Sequence, residues 1–442
     1  MTRLFGTSGV RGAWKEGITP DLFLRLGRAL SSFLGGRGKV LVGRDTRTSG
    51  EALQAALVSG VLSGGCEVLE AGVVPTPVLA FSTKLLGADA GAMVTASHNP
   101  PEYNGVKFWS EEGMAFTPEQ EREIEKILQE NPRGAEWFRV GRGRRVEILS
   151  AYFEEILRRF SLQEKFKVVV DCGNGAASLV TPLLLRELGC EVVALHSHPD
   201  GFPGRGLEPV PENLGELAEE VRNSGADLGI AHDGDADRVV AVDERGRVVD
   251  QDKLLALVAG QEGAGGTVVT TVDASRVVEK VVEEKGGRVI RTKVGDVNVA
   301  LACRENEATF GGEPCGAWIF PRIHFAPDGP LGAVVLLKML EAGKPLSEMV
   351  DELPQYVMQR KKIPCPDAKK EAAMKEFMAA AKEMGGDLSM VDGIRVSLPE
   401  GWILVRPSGT EPLIRITVEG EREEWVREYM QRTVRILTTK EG

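Results

Sequence analysis

Three carboxylates stand at alternate positions in Asp233-Gly234-Asp235-Ala236-Asp237-Arg238, directly after the strand-like run Asp227-Leu228-Gly229-Ile230-Ala231. Side chains so spaced can point into one pocket, where like charges repel strongly unless a cation neutralises them. An all-oxygen donor set suits a hard ion, Mg²⁺ or Ca²⁺, far better than zinc. The EF-hand loop is excluded, although Glu244 stands at its twelfth position. Its sixth position is Arg238 where glycine is required, and Val239-Val240-Ala241-Val242 continues as a strand instead of a helix. A solvated acidic turn is the remaining alternative to a metal site.

Three further polar stretches follow strand-like runs. Thr95-Ala96-Ser97-His98-Asn99-Pro100 comes after Gly91-Ala92-Met93-Val94 and precedes Asn104-Gly105-Val106-Lys107, which reads as a tight turn carrying a lysine. Ser97 is expected to be exposed, with His98 and Lys107 near enough in sequence to shuttle protons or stabilise transferring phosphoryl oxygens. A plain polar turn closed by Asn-Pro is the alternative. Gly311-Gly312-Glu313-Pro314-Cys315-Gly316 sets a carboxylate between glycine pairs, able to accept hydrogen bonds from sugar hydroxyl or amino groups; an exposed Glu in a glycine-rich turn reads equally well. Arg406-Pro407-Ser408-Gly409-Thr410-Glu411-Pro412, after Trp402-Ile403-Leu404-Val405, offers a guanidinium, hydroxyls and a glycine N–H, the donors that wrap a phosphate, with Arg415 as reinforcement. Gly6-Thr7-Ser8-Gly9-Val10-Arg11-Gly12 repeats that chemistry more weakly.

Two other motifs point away from nucleotides and zinc. Gly173-Asn174-Gly175-Ala176-Ala177-Ser178 is shaped like a dinucleotide fingerprint, but Ser178 fills the third glycine position and no acid ends the next strand, Val192-Val193-Ala194-Leu195-His196. Gly35-Gly36-Arg37-Gly38-Lys39 lacks the spacing and the Ser/Thr of a Walker loop. His196 and His198 have no further ligands at zinc spacing.

The elements that must position these residues show a layout repeated three times. Lys39-Val40-Leu41-Val42, Lys167-Val168-Val169-Val170 and Thr267-Val268-Val269-Thr270 each lead through a polar turn into a helical stretch, then a glycine and a second strand. This is the unit of a parallel sheet. The fold class is therefore α/β: three tandem related α/β domains with mixed, largely parallel sheets, over 1–148, 149–245 and 246–356. A smaller α+β domain over 357–442 follows, with a helix in Lys369–Gly385 and strands around RVSL, WILVRP and LIRITVEG. Sites in such sheets form at the carboxyl ends of strands, where all four stretches fall.

A chain of 442 residues exceeds one hydrophobic core, and 27% charged with 42% hydrophobic residues is ordinary for folded protein. The net charge of -11 disfavours nucleic acid as a partner but not a small anion held by local arginines. Six scattered cysteines without a C-x-x-C pair read as reduced thiols. No apolar leader opens the sequence and no run approaches about 20 apolar residues, so a soluble, cytoplasmic protein with no membrane partner is expected.

In order and spacing these stretches resemble the α-D-phosphohexomutase family. Thr-Ala-Ser-His-Asn-Pro is similar to its phosphoserine loop, Asp-Gly-Asp-Ala-Asp-Arg to its magnesium loop, Gly-Gly-Glu-x-x-Gly to its sugar loop and Arg-Pro-Ser-Gly-Thr-Glu-Pro to its phosphate loop. Phe5–Gly12 matches as well, so the resemblance runs from residue 5 to about residue 415. It implies four domains around a central cleft, a phosphorylated Ser97, and one Mg²⁺ held by that group with Asp233, Asp235 and Asp237. It implies transfer from Ser97 to a hexose monophosphate through a bound hexose 1,6-bisphosphate. Arg11, Arg238 and Lys107 would neutralise charge, and Lys107 or His98 would act as acid and base. Glu313 and Cys315 would meet the sugar; Arg406, Ser408, Gly409, Thr410 and Arg415 would hold the phosphate not being transferred. The sugar loop departs from the common Gly-Glu-x-Ser-Gly-His in Cys315 and Ala317, and its Pro-Cys form is similar to archaeal-type phosphoglucosamine mutases. Glucosamine phosphate is thus the first expected substrate, mannose or glucose phosphates the second. A metal-dependent phosphatase needs no second phosphate grip, and a non-catalytic binder needs no serine facing metal-seeking carboxylates. The expected partners are small sugar phosphates, and self-association as a homodimer stays open.

Overall fold

The computed structural model describes residues 4–6, 9–409 and 411–438, which form four sheets in chain order. In each of the first three, the leading repeat strand (Lys39–Arg44, Lys167–Asp171 or Thr267–Thr271) lies between two parallel neighbours. Those neighbours are Glu67–Val73 and Ala90–Val94, Glu191–Leu195 and Leu228–Ala231, and Arg288–Thr292 and Phe310–Gly312. A fourth strand runs antiparallel beside the second neighbour: Tyr103–Ser110, Val240–Asp243 or Trp318–Ile319. The leading strands are buried valine-rich runs, as strands covered by helices on both faces must be. The repeat read from the sequence is thus a shared topology. Its hairpin connections, from the third strand to the fourth, carry Ser97, the three aspartates and Glu313.

The first sheet gains two edge strands, Val10–Ala13 and Gly143–Arg145. Asn104–Lys107, expected as a tight turn, lies inside the strand Tyr103–Ser110, because its backbone pairs with both Val10–Ala13 and Ala90–Val94. That pairing sets Arg11 opposite Gly105 and sends Lys107 inward.

The C-terminal sheet is antiparallel throughout, and the expected helix covers Asp367–Glu383. Val357–Pro364 and Asp387–Ser389 are strands that the sequence pattern does not reveal. The first is rich in exposed lysine and arginine and is held by its ladder to Leu413–Gly420, a pairing distant in sequence.

One buried apolar cluster runs through the first three units, from Leu41 and Val78 through Val168 and Leu184 to Leu254 and Leu337. The C-terminal unit has its own core around Phe377, Ile403 and Val418, and meets the rest through a small contact of Val272 with Trp402 and Leu404. Five cysteines are buried, Cys315 is partly exposed, and all are free. Among the described residues no helix is long and apolar enough to cross a membrane.

Candidate active site

The hairpin after Leu228–Ala231 turns sharply, with Ala236 in the left-handed region (φ 59°). Asp233 and Asp235 are wholly buried and Asp237 nearly so, and one carboxylate oxygen from each lies within 4.8 Å of the others. Burial, then Asp237 and Asp235, pushes the Asp233 carboxyl well above its ordinary range. Burial also opposes ionisation of Asp235, but Lys107 and Thr76 outweigh it and hold that carboxyl low. Asp235 Oδ1 is buried with no hydrogen-bond partner among the described residues. Buried oxygen donors, mutual repulsion and an open acceptor fit a hard divalent cation. Ser97 Oγ donates to Asp233 Oδ2 at 2.6 Å, so all four metal-site residues expected from the sequence meet in one place.

Ser97 was expected on the surface; it is 1% exposed, because its turn packs against the aspartate hairpin. A Cβ on Gly234 would sit 2.6 Å from the Ser97 carbonyl oxygen, so the two backbones are in contact. Ser97 itself is left-handed (φ 51°), a conformation that costs a non-glycine residue about 1–3 kcal/mol. Its Oγ lies 3.4 Å from His98 Nδ1. Burial, with Arg238 and Arg11 nearby, lowers His98 to about 3, leaving a neutral ring at ordinary pH. Lys107 donates to Asp235 Oδ2 at 2.9 Å and Asp237 Oδ2 at 2.7 Å, so its charge is directed at the carboxylates. Burial alone would discharge it, but the two aspartates keep it firmly protonated. Arg11 donates to Asn99 Oδ1 at 3.2 Å, and Arg238 approaches Glu208 at 3.9 Å.

The third hairpin closes against the second: Val239 N–H donates to the Gly316 carbonyl at 3.0 Å, and left-handed Gly316 has no room for a Cβ, 2.1 Å from Val239 O. Glu313 is buried and accepts from Gly295 N–H at 3.0 Å; burial and Asp296 push it up to about 8. Burial likewise pushes the Cys315 thiol up to about 12, against Arg238. Arg406 and Arg415 are cross-strand partners, held by Asp392 at 3.1 Å and by Glu411 respectively. Ser408 is buried and its Oγ accepts from Glu411 N–H at 3.1 Å; Thr410, with Thr7 and Ser8, lies outside the described residues. A cavity of about 750 Å³ is lined by Arg11 and Asn99 from the first unit, Lys293 and Asn298 from the third and Gly409 from the C-terminal unit.

Sequence reasoning missed the supporting residues. Thr76 donates to Asp235 Oδ2 at 2.6 Å from the helix Thr76–Leu85. Buried His232 faces the Arg238 carbonyl at 2.8 Å, and Arg205 bridges Asp171 (2.7 Å) to the His232 carbonyl (2.8 Å). Arg47, Asp45 and Thr95 surround the Ser97 turn. Apart from the polar turn at Asp45 and the Asp-Arg pairing two residues apart, no local signal marks them.

Profiles of four consecutive phosphoglucomutase/phosphomannomutase domains match this chain: alpha/beta/alpha domain I over residues 2–134, domain II over 150–246, domain III over 250–357 and the C-terminal domain over 361–436. The chain belongs to the phosphoglucomutase/phosphomannomutase family. It is therefore a phosphohexomutase, an isomerase. Among its relatives, a probable phosphoglucosamine mutase of Methanopyrus kandleri is 52% identical, with 99% of this chain and 98% of the relative aligned. One from Methanothermobacter thermautotrophicus is 49% identical over 98% and 97%. Of solved structures, a phosphoglucomutase/phosphomannomutase family protein from Burkholderia thailandensis superposes with TM-score 0.89 at 29% identity, covering 100% and 98% of the two chains. The expected phosphohexomutase fold and its four-domain organisation thus agree with these matches.

Proposed function

We propose that this phosphohexomutase interconverts glucosamine 6-phosphate and glucosamine 1-phosphate, with Ser97 as the phosphoryl carrier. The observation that carries the reading is the 2.6 Å hydrogen bond from Ser97 Oγ to Asp233, inside a buried triad of carboxylates. Asp233, Asp235 and Asp237 would hold Mg²⁺ together with the phosphorylated Ser97; the bound ion would neutralise charge on the phosphoryl oxygens. The choice of sugar is supported by relatives named probable phosphoglucosamine mutases and by the Pro314-Cys315 form of the sugar loop, which resembles archaeal-type phosphoglucosamine mutases. Mannose and glucose phosphates are the second choice, since the family description itself names phosphomannomutases and phosphoglucomutases.

In the forward half-reaction the sugar hydroxyl attacks phosphorus, the Ser97 Oγ–P bond breaks, and a hexose 1,6-bisphosphate results. The hydroxyl proton passes to a base, and neutral His98 beside Oγ is placed to accept or return one. Arg11, Arg238 and Lys107 gather positive charge around the transferred group. Arg406, Ser408, Gly409 and Arg415, with Thr410, hold the opposite phosphate across the cavity lined by Arg11 and Gly409. After the bisphosphate turns over, its other phosphate returns to Ser97 and the isomeric monophosphate leaves. Glu313, raised to about 8, can donate to or accept from a sugar hydroxyl or amine.

A coupled assay across glucosamine, glucose and mannose phosphates, with Mg²⁺ and a hexose 1,6-bisphosphate primer, tests the reading. Fastest turnover is expected on glucosamine phosphate; faster mannose or glucose phosphate turnover would reassign the sugar, and no interconversion of any would end the proposal. Intact mass should show one phosphoryl group on the wild type that Ser97→Ala lacks.

A further inference from the structure

Ser97 occupies an unfavourable left-handed conformation, yet both of its peptide units are tied into one closed ring of hydrogen bonds. Its N–H donates to Thr95 Oγ1 at 2.8 Å, and the Thr95 hydroxyl donates to Asp45 Oδ2 at 2.6 Å. The same Asp45 oxygen accepts from Arg47 Nε at 3.1 Å, and Arg47 Nη2 returns to the Ser97 carbonyl at 2.8 Å. The other Arg47 N–H groups go to the carbonyls of Asn99 (2.7 Å), Pro100 (2.6 Å) and Tyr103 (2.8 Å). A guanidinium has five N–H donors, and here every one has an acceptor. Arg47, Asp45, Thr95 and Ser97 are each 3% exposed or less, so none of these bonds competes with bulk water.

We propose that Asp45, Arg47 and Thr95 are positioning residues for phosphoryl transfer: the ring they form holds Ser97 left-handed and thereby aims its Oγ at Asp233. Burial of an Asp–Arg pair is by itself weak evidence of stabilisation, because desolvation offsets attraction. What sets this pair apart is where the guanidinium spends its donors. Four of its bonds go to main-chain oxygens between Ser97 and Tyr103, so it fixes a backbone path in addition to balancing a charge. Without the ring, the Ser97 peptides are free to relax to negative φ, which swings Oγ away from the aspartates. The aspartate hairpin limits the opposite movement, since Gly234 already lies against the Ser97 carbonyl. The inference rests on Ser97 carrying the phosphoryl group, as proposed above.

Thr95→Val is the cleanest test, because it keeps side-chain volume and the Asp45–Arg47 pair but removes both hydroxyl bonds. A misplacement of the reacting oxygen by about 1 Å can cost 10²-fold, so kcat should fall by about 10- to 100-fold. KM for the sugar phosphate should stay within about twofold, since the phosphate grip lies across the cavity, and Thr95→Ser should restore kcat. Arg47→Lys, which keeps a charge beside Asp45 but loses the carbonyl contacts, should match Thr95→Val in its kcat and KM pattern. Crystal structures of wild type and Thr95→Val read Ser97 φ directly, whatever the substrate proves to be; a shift to negative φ is expected. Unchanged kcat in Thr95→Val beside an active wild type, or an unchanged Ser97 φ, would overturn the proposal. An inactive wild type with a relaxed Ser97 in Thr95→Val would instead sink the mutase reading and leave the ring standing.

Discussion

Glu313, proposed to meet the sugar, carries a large electrostatic consequence of its burial. Burial and Asp296 raise its pKa from 4.5 to about 8, so the folded protein holds a proton that the unfolded chain releases. Between those two values the folded state binds more protons, and stability must fall as pH rises through that window. Glu313→Gln, which cannot ionise, should flatten this slope: its unfolding midpoint should gain on the wild type between pH 5 and pH 8. Denaturation at a series of pH values measures it, and parallel curves for the two proteins would contradict the burial argument. The same substitution should weaken sugar phosphate binding where the ionised form contributes. Lys107 illustrates a different limit of residue-level reading. Its type and position suggested proximity to Ser97, but strand pairing determines that it faces Asp235 and Asp237.

At the scale of elements, close backbone approach does work that no side chain advertises. The second hairpin is pressed on one side against the Ser97 turn and on the other against the third hairpin, through Gly234 and Gly316. A methyl group on Gly234 would stand 2.6 Å from a carbonyl oxygen that Arg47 holds in place, so the hairpins would have to separate. Gly234→Ala should therefore lower kcat by about 10- to 100-fold while most of the stability remains. Gly60 supplies the contrast. The helices Pro20–Phe33 and Gly50–Ser63 touch through Gly27 and Gly60, and a Cβ on Gly60 would meet Leu24 O at 2.1 Å, away from the four loops. Gly60→Ala should cost about 1–3 kcal/mol of stability with kcat and KM unchanged. Melting curves and steady-state kinetics on both variants separate the cases; equal kinetic losses would show that the hairpin contact has no special role.

Across the whole molecule, cores are distributed unevenly. A continuous apolar cluster unites the first three units, whereas the C-terminal unit keeps a private core and a narrow bridge of Val272, Trp402 and Leu404. Polar ties cross the same boundary: Arg360 to Asp252 at 2.9 Å, and Arg395 to the Val272 carbonyl at 2.9 Å. So small an apolar bridge transmits little cooperativity, and unfolding should depart from two-state behaviour. Calorimetry is expected to resolve two transitions, and hydrogen exchange to show strands such as Ile394–Leu398 and Gly401–Pro407 opening apart from Lys167–Asp171. A single transition with equal calorimetric and van't Hoff enthalpies would refute this. On the proposed grip of Arg406 and Arg415, with Ser97 in the first unit as carrier, added substrate phosphate should draw the two transitions together.

The repeated strand–turn–helix pattern and four loop motifs were legible from sequence because each is local. Valine runs encode buried parallel strands, and alternate aspartates concentrate like charge that suits a cation, wherever the chain later goes. Asn104–Lys107 and Val357–Pro364 were not legible as strands, since partners distant in sequence impose their conformation. The burial of Ser97, the aim of Lys107 and the ring through Asp45, Arg47 and Thr95 were decided only by tertiary structure. Hydrogen bonds spanning about fifty residues, from Arg47 to the Ser97 turn, have no periodic trace in sequence. Residue types chose the chemistry; the contact between hairpins of separate units chose which atoms face one another.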